Sequence, residues 1–424
     1  MASAAAPRGL GAAFARILDS AEDASPIDAV EAVTRDLGAL LGASRISFLI
    51  ADLSGRALVR LVHDAPSADG EVVTEVLPFD GGAGEQTLEA QAVRVLGPNE
   101  ALPGSPTGQW TVLAPVTERG EALGLLELSL PDEPGPAALA EIVRTAHLLG
   151  FVVIANRRHT DLFEWGQRTT RFSLPAEIQR RLLPASFTCE AGSFTLSAWL
   201  EPAASIGGDT FDYSLDRQAL HLSLTDAMGH GVTSALIATL CVGSLRNTRR
   251  QGATLAEQAD AANRALLEEG TPTEPIFATG LLGRVDLHTG ALSFVNAGHN
   301  MPYLVRGDEV NCLTLLPSLP LGLFAEATYA VTGLRLEPGD RLVLVTDGML
   351  ERDAEGVDMQ TEILESRHLH PRETTRRLAD KVLELTGSEL QDDATMLVLD
   401  WHGHHRDRDT VAGAGPTPAH NDFG

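Results

Sequence analysis

The front third of the chain switches between helical and strand-like patterns of apolar residues. Apolar positions recur every three to four residues through 27–42, which is the spacing of one buried helix face. The stretch 44–55 then alternates apolar and polar residues, and similar runs follow at 56–64, 109–120 and 122–130. Alternation of this kind predicts half-buried strands. The front of the chain is therefore expected to form a unit that begins with a helix and is rich in strands.

A different pattern begins at Pro136. Apolar residues recur at helical intervals from 136 to 172 with no proline after the first position, which predicts one long helix leaving the front unit. Pro175 interrupts that helix, and a second short helix ends before Pro184. These breaks divide the chain into five predicted segments, namely a flexible N-terminus (1–25), a front domain (26–156), a helical linker (157–185), a second domain (186–401) and a disordered tail (402–424).

Strand-like runs in the second domain begin or end at aspartates. The acids that stand at these positions are Asp209, Asp226, Asp347, Asp392 and Asp393. Helical periodicity predicts helices at 232–249, 254–268 and 371–386. Strands and helices thus occur in both halves of the chain, and we expect an α+β protein.

Each of these aspartates, taken alone, has an ordinary explanation, because Asp readily forms turns by bonding its own backbone. The repetition favours a second explanation. Carboxylates that converge at one rim repel each other and are costly to desolvate unless cations neutralise them. Oxygen ligands with no cysteine nearby favour Mg²⁺ or Mn²⁺ over zinc or copper. The pattern therefore predicts a hydrolytic centre with two such ions.

The composition excludes several classes of protein. The chain has 424 residues, a formal net charge of -26 and a pI near 4.8, so it lacks the basic face that a nucleic-acid backbone would require. Its three cysteines, Cys189, Cys241 and Cys312, show no paired or metal-binding spacing, which indicates a reducing compartment. No apolar run approaches the roughly 20 residues of a membrane span. We expect a cytoplasmic protein with no nucleic-acid or membrane partner.

Eight short blocks give the second domain a family resemblance. In chain order they are EIQRRLLP, IGGDTFD, TDAMGHG, ATGLLGRVD, NAGHN, PLGLF, PGDRLVLVTDGMLE and DDATMLVL. This order resembles the SpoIIE-like and RsbU-like branch of the metal-dependent PPM (type 2C) serine/threonine phosphatases over roughly residues 170–400. The resemblance implies an αββα sandwich, with two antiparallel sheets flanked by helices and metals held between the sheets. It also implies hydrolysis of phosphoserine or phosphothreonine.

The same resemblance implies a role for each acid. Asp226 would bridge the two ions together with the backbone carbonyl of Ala227, Asp209 would hold one ion, and Asp347 and Asp392 would hold the other. The four aspartates are therefore the predicted catalytic residues, and all five residues are the predicted metal ligands. Two bound ions would lower the pKa of a shared water, which would then attack phosphorus in line.

The proton donor stays open. His230 and His299 lie in glycine turns and are either general acids or ordinary turn residues. In the broader family a histidine lies two residues after the bridging acid, but that position is Met228 here. Asp212 and Asp393 likewise either support the metal ligands or simply face solvent.

The front domain resembles a GAF domain in its order of helix, strands and exit helix. That resemblance implies a pocket for an unknown small-molecule or protein signal, and the alternative is a dimerisation module with an empty pocket. Apolar residues along the predicted long helix form either a homodimeric signalling seam or a face packed on its own domain. These residues are Ile142, Leu149, Val152, Leu162 and Trp165. The block at 177–184 would then act as a switch beside the metals.

Together these features predict a metal-dependent protein phosphatase controlled by its front domain and working as a homodimer. The resemblance implies that its substrate is a phosphorylated anti-anti-sigma factor of the STAS type. Two alternatives stay open, namely a catalytically inactive scaffold that senses a ligand and binds a signalling partner, and a phosphatase of small metabolites. Retention of all four acids favours an enzyme, because an inactive site has little reason to keep carboxylates that repel each other.

Overall fold

The computed structural model describes residues 10–62, 73–169, 172–201, 207–271, 273, 275–350, 358–386, 390 and 392–403. The described residues divide into two compact units, one within 10–169 and one within 172–403. The first nine residues of the predicted lead-in, and the predicted tail beyond residue 403, lie outside the described part of the chain.

The front unit consists of one sheet and the helices around it. Its elements are α1 (Leu10–Asp23), α2 (Ala29–Leu41), β1 (Arg45–Ala51), β2 (Ala57–Val62), β3 (Val73–Pro78), α3 (Ala83–Ala90), β4 (Arg94–Leu96), β5 (Trp110–Glu118), β6 (Glu121–Leu130), α4 (Pro136–Asn156), a 3₁₀ turn (Arg157–His159) and α5 (Leu162–Gly166). The strands form one antiparallel sheet in the order β3-β2-β1-β6-β5-β4. Residues of α1, α2 and α4 share one apolar core with strands β1, β5 and β6. The identification of this unit as GAF-like stays a prediction.

Two predictions for this unit were wrong in detail. The lead-in was expected to be loose up to residue 25, but α1 occupies 10–23 and buries Ile17 in the core. The helix predicted to run to residue 172 ends at Asn156, because Thr160 is extended and its hydroxyl accepts the N–H of Leu162. A threonine hydroxyl offers the backbone an alternative to the helix without any proline.

The proposed seam residues divide between core and surface. Ile142, Leu149 and Val152 are buried in the core of the front unit, whereas Trp165 is 56% exposed. Helix α4 and the 3₁₀ turn together have the length and composition of a membrane span, but half of the apolar window is buried inside the structure. This segment therefore behaves as the core helix of its own domain.

The second unit contains two sheets and five helices among the described residues. Its elements are α6 (Leu174–Leu182), β7 (Thr188–Glu190), β8 (Phe194–Glu201), β9 (Asp209–Leu215), β10 (Ala219–Ala227), α7 (Val232–Arg250), α8 (Leu255–Glu269), β11 (Ala278–Asp286), β12 (Ala291–Ala297), β13 (Tyr303–Arg306), β14 (Glu309–Cys312), β15 (Pro317–Ser318), β16 (Val331–Arg335), β17 (Arg341–Val345), a 3₁₀ turn (Asp347–Met349), α9 (Met359–Glu365), α10 (Pro371–Thr386) and β18 (Ala394–Trp401).

These elements form an α-β-β-α sandwich. One sheet runs β15-β12-β11-β10-β9 with β16 beside β12, and the other runs β14-β13-β17-β18-β8-β7. Leucines and phenylalanines from both sheets fill the space between them. Helices α7 and α8 cover the first sheet, and α9 and α10 cover the second. In β17 the side chains of Leu342 and Leu344 face the central core while those of Val343 and Val345 face the helices. The predicted αββα sandwich is confirmed.

Candidate active site

The candidate site begins at the paired ends of β9 and β10. Asp209, the first residue of β9, lies directly opposite Asp226, which precedes the last residue of β10. The backbone carbonyl of Gly208 accepts the N–H of Ala227 at 3.2 Å and closes this corner. The chain then turns through Gly229 and Gly231, whose φ angles of 90° and 76° favour glycine, and starts α7.

The second sheet meets this corner through two threonines. Thr346, directly after β17, and Thr395 in β18 both donate hydroxyl hydrogen bonds to Oδ2 of Asp209, at 2.7 and 2.6 Å. Asp347 follows Thr346 directly, and Asp392 lies just before β18. The two threonines therefore bring the acids of the second sheet to the acids of the first.

The pKa values of three carboxyl groups report this crowding. Burial raises the pKa of Asp226 to about 7, helped by the negative charges of Asp347, Asp392 and Asp393. Burial, followed by the charges of Asp226 and Asp393, holds the pKa of Asp209 well above its usual range despite the two threonine bonds. Burial also raises the pKa of Asp392, and the charge of Asp347 adds to the rise. All four predicted acids thus belong to one electrostatic group.

A network behind these acids joins Asp393, for which support of the metal ligands was one of two predicted roles, to Gln179, which the sequence did not single out. Asp393, 1% exposed, accepts N–H bonds from Gly208 at 3.0 Å and Asp209 at 3.4 Å on Oδ2. The same oxygen accepts a bond of 2.6 Å from Nε2 of Gln179, which also donates to the backbone carbonyl of Asp209 at 2.8 Å. Gln179 lies in α6 and is 1% exposed. The signal available in the sequence was one uncharged polar residue, Gln179, in the amphipathic block EIQRRLLP.

Asp212 forms largely buried ion pairs that connect β9 to α7. It is 4% exposed and pairs with Arg246 at 2.8 Å and Arg249 at 2.9 Å, both on α7. Arg246 also donates to the carbonyl of Leu182 at the end of α6. The burial of Asp212 contradicts the solvent-facing alternative, and its two arginine pairs tie β9 to α7.

Two glycines allow the backbone to approach itself at the site. A Cβ on Gly208 would stand 2.5 Å from the carbonyl oxygen of Ala227, and a Cβ on Gly348 would stand 2.1 Å from the carbonyl oxygen of Asp393. Real Cβ contacts are never that short, so a side chain at either position would displace the backbone. The carbonyl of Ala227, a predicted metal ligand, thus lies directly against Gly208, where no side chain fits.

The two candidate histidines differ in their surroundings. His230 is exposed in the turn two residues before α7. His299 is 9% exposed, and its Nδ1 lies 2.8 Å from the hydroxyl of Thr279. Burial lowers the pKa of His299 to about 4, so its ring is neutral near pH 7. A neutral imidazole is a poor proton donor to a leaving alkoxide, which argues against His299 as the general acid.

The donor set fits a hard divalent cation. Within the described residues, no three His, Cys, Asp or Glu side chains are already close enough to enclose a metal ion. The chemistry nevertheless suits one, because aspartate carboxylates and a backbone carbonyl are the ligands that Mg²⁺ and Mn²⁺ prefer. Carboxylates that raise one another's pKa gain most from a bound cation. The residues present therefore fit the metals that the sequence predicts.

Comparison with known proteins points to one family. The profile described as Stage II sporulation protein E (SpoIIE) matches residues 216–402. The chain is 23% identical to phosphoserine phosphatase RsbU of Bacillus subtilis (strain 168) over 236 residues, which cover 54% of this chain and 70% of that protein. It is 25% identical to phosphoserine phosphatase RsbP of the same organism over 164 residues, which cover 38% of this chain and 40% of that protein. A solved structure of the RsbU and RsbW domains of Rv1364c from Mycobacterium tuberculosis is 26% identical, with a TM-score of 0.42, and the match covers 50% of this chain and 60% of that one.

Proposed function

Residues 216–402 belong to the SpoIIE family of phosphatase domains, and from that premise we propose that the chain is a metal-dependent phosphatase of phosphoserine or phosphothreonine in a regulatory protein. The proposal rests on one observation. Asp209 lies opposite Asp226, and Thr346 and Thr395 join Asp209 to the second sheet. The result is an acidic centre built from both sheets of the sandwich.

The metal ligands in this proposal are Asp226 with the Ala227 carbonyl, Asp209, Asp347 and Asp392. Two Mn²⁺ or Mg²⁺ ions held there would supply a water of lowered pKa and neutralise the phosphate oxygens. The protein's own part is to hold the carboxylates in place. Thr346 and Thr395 orient one carboxylate, while the corner between β9 and β10 sets the distance between the first two acids. Such positioning accounts for much of the rate in phosphoryl transfer.

The substrate in this proposal is a phosphorylated anti-anti-sigma protein of the STAS type. Support comes from the relatives named phosphoserine phosphatases RsbU and RsbP. A folded phosphoprotein also suits a site at the rim of a sandwich, where Asp347 is exposed. The chain in this proposal is cytoplasmic.

Regulation in this proposal passes through α6, the helix of the predicted switch block. Gln179 of α6 bonds both the backbone of Asp209 and the carboxylate of Asp393, so a shift of α6 would disturb the acid next to Asp226. The front domain, acting as a GAF-like sensor in a homodimer, would bias the position of α6 in response to a ligand or protein signal. A two-state segment of this kind is a common regulatory device.

Phosphate release tests the activity. Wild type should hydrolyse p-nitrophenyl phosphate and a phosphoserine STAS protein with Mn²⁺ but not with EDTA. Asp226→Asn should lose more than about 100-fold, because even residues that only support ligands are worth 10–100-fold. Asp308→Asn is the matched control, since Asp308 is 86% exposed in a hairpin turn. A scaffold without turnover would show no Mn²⁺-dependent release in wild type, and a metabolite phosphatase would leave the STAS protein phosphorylated.

A further inference from the structure

His299 is held in a fixed position beside the acidic centre. The catalytic proposal gives this residue no role. Asn296, 1% exposed, accepts the backbone N–H of His299 at 2.8 Å and donates to its carbonyl at 3.0 Å. Gly298, with φ at 71°, forms the turn between them. The ring therefore has a defined place, and its Nδ1 lies 2.8 Å from Oγ1 of Thr279.

The other ring nitrogen decides which tautomer is present. Nε2 of His299 is buried, and among the described residues no donor or acceptor reaches it. A buried N–H without an acceptor is rarer in native proteins than an acceptor without a donor. The neutral ring should therefore carry its proton on Nδ1, donate it to Thr279, and leave Nε2 as a bare acceptor.

That tautomer frees the hydroxyl proton of Thr279. Thr279 on β11 is the direct cross-strand partner of Asp226 on β10, and side chains in such pairs lie on one face with Cβ atoms about 5 Å apart. The neighbouring pair shows the same relation, since the hydroxyls of Thr210 and Thr225 meet at 2.5 Å across β9 and β10. Asp226 thus has a carboxylate, Asp209, on one side and a threonine hydroxyl on the other.

We propose that His299 is a positioning residue, which donates from Nδ1 to Thr279 and so directs the Thr279 hydroxyl toward the carboxylate of Asp226. Thr346 and Thr395 donate directly to Asp209, and the proposed contact from Thr279 would be the corresponding support for Asp226. The inference rests on the proposed function, because it assigns a residue to the same site. His299 acts through Thr279 and does not touch the substrate.

A double-mutant cycle tests this coupling. Thr279→Val and His299→Gln should each lower kcat/KM about tenfold, mainly through kcat and Mn²⁺ affinity, as expected for residues that orient a ligand. The combined variant should be no worse than Thr279→Val alone, and Thr279→Ser should restore activity. His288→Gln, in the exposed turn before β12, is the matched control. Independent losses that multiply to about 100-fold, or no loss from either change, would overturn the proposal.

Two further measurements do not depend on turnover. Nitrogen-15 NMR of ring-labelled full-length protein in Mg²⁺, assigned with His299→Gln, should show Nδ1 protonated and Nε2 bare. Calorimetry should show weaker Mn²⁺ binding in Thr279→Val and normal binding in Thr279→Ser. A proton on Nε2 would refute the inference while leaving the phosphatase intact. Mn²⁺ binding without hydrolysis of either substrate would refute the proposed function, and the cycle would then be judged from the Mn²⁺ affinities. Absence of Mn²⁺ binding by wild type would refute both.

Discussion

Gln179→Leu is the substitution that most directly tests how α6 supports the site. The change keeps the size of a side chain that is 1% exposed and removes its two donated hydrogen bonds, one to the carbonyl of Asp209 and one to the carboxylate of Asp393. The carboxylate oxygen keeps its backbone N–H bonds from Gly208 and Asp209. The loss is thus partial, and it is confined to the contacts of α6 with Asp209 and Asp393.

The magnitude follows from the type of bond that is lost. A hydrogen bond to a charged group contributes about 1.5–3 kcal/mol and a neutral one about 0.5–1.5 kcal/mol, so α6 should be held about 2–4.5 kcal/mol less firmly. Because Asp209 is both a predicted ligand and a partner of Gln179, the apparent affinity for Mn²⁺ should fall about 10–100-fold. Turnover at saturating Mn²⁺ should fall much less.

The assay is hydrolysis of p-nitrophenyl phosphate over a series of Mn²⁺ concentrations, with thermal unfolding recorded on the same samples. Arg181→Leu is the matched control, because Arg181 lies on the same helix and pairs with Glu177 at 3.1 Å on the surface, an interaction of about 0.3–0.5 kcal/mol. An Mn²⁺ dependence of Gln179→Leu identical to that of wild type would refute the idea that α6 supports the metal ligands.

Three further outcomes are expected. Gly208→Ala should lower activity more than tenfold, since its Cβ would stand 2.5 Å from a backbone carbonyl, whereas Gly243→Ala on α7, with open space around it, should leave activity unchanged; phosphatase assays on both decide this. In metal-free protein, Asp226 has a pKa of about 7 against an ordinary 3.8, so the native state binds more protons and the free energy of unfolding should fall as pH rises from about 4 to 7. Urea unfolding in EDTA measures that slope, and a slope unchanged in Asp226→Asn would contradict the cause. Asp212→Ala leaves Arg246 and Arg249 without their carboxylate partner in a largely buried position. The free energy of unfolding should therefore fall by about 2–4 kcal/mol. Chemical denaturation checks it, and a loss below about 1 kcal/mol would show that the pair contributes little.

Much of the second domain was open to prediction because its local signals agree with its fold. The helical periodicity of the apolar residues predicted the helix at 371–386 with the observed bounds. It also predicted the helices at 232–249 and 254–268 to within one residue at each end. The order of the eight blocks implied the sandwich and the candidate acids. The roles of those acids as metal ligands stay a prediction.

Other features depend on contacts between distant residues, and no local pattern reports them. Asp212 and Asp393 look alike in the sequence, yet the first meets arginines of α7 and the second meets Gln179.

The sequence by itself determined which residue types stand at the ends of which strands, because hydrophobic period and turn chemistry act over a few residues. Only the tertiary structure decided that Thr346 and Thr395 hold Asp209, that Gln179 reaches it from α6, and that Thr279 lies opposite Asp226. These partners lie far apart in the chain or on separate strands. Their meeting depends on strand register and on the packing of one sheet against the other, and both are set by the whole core.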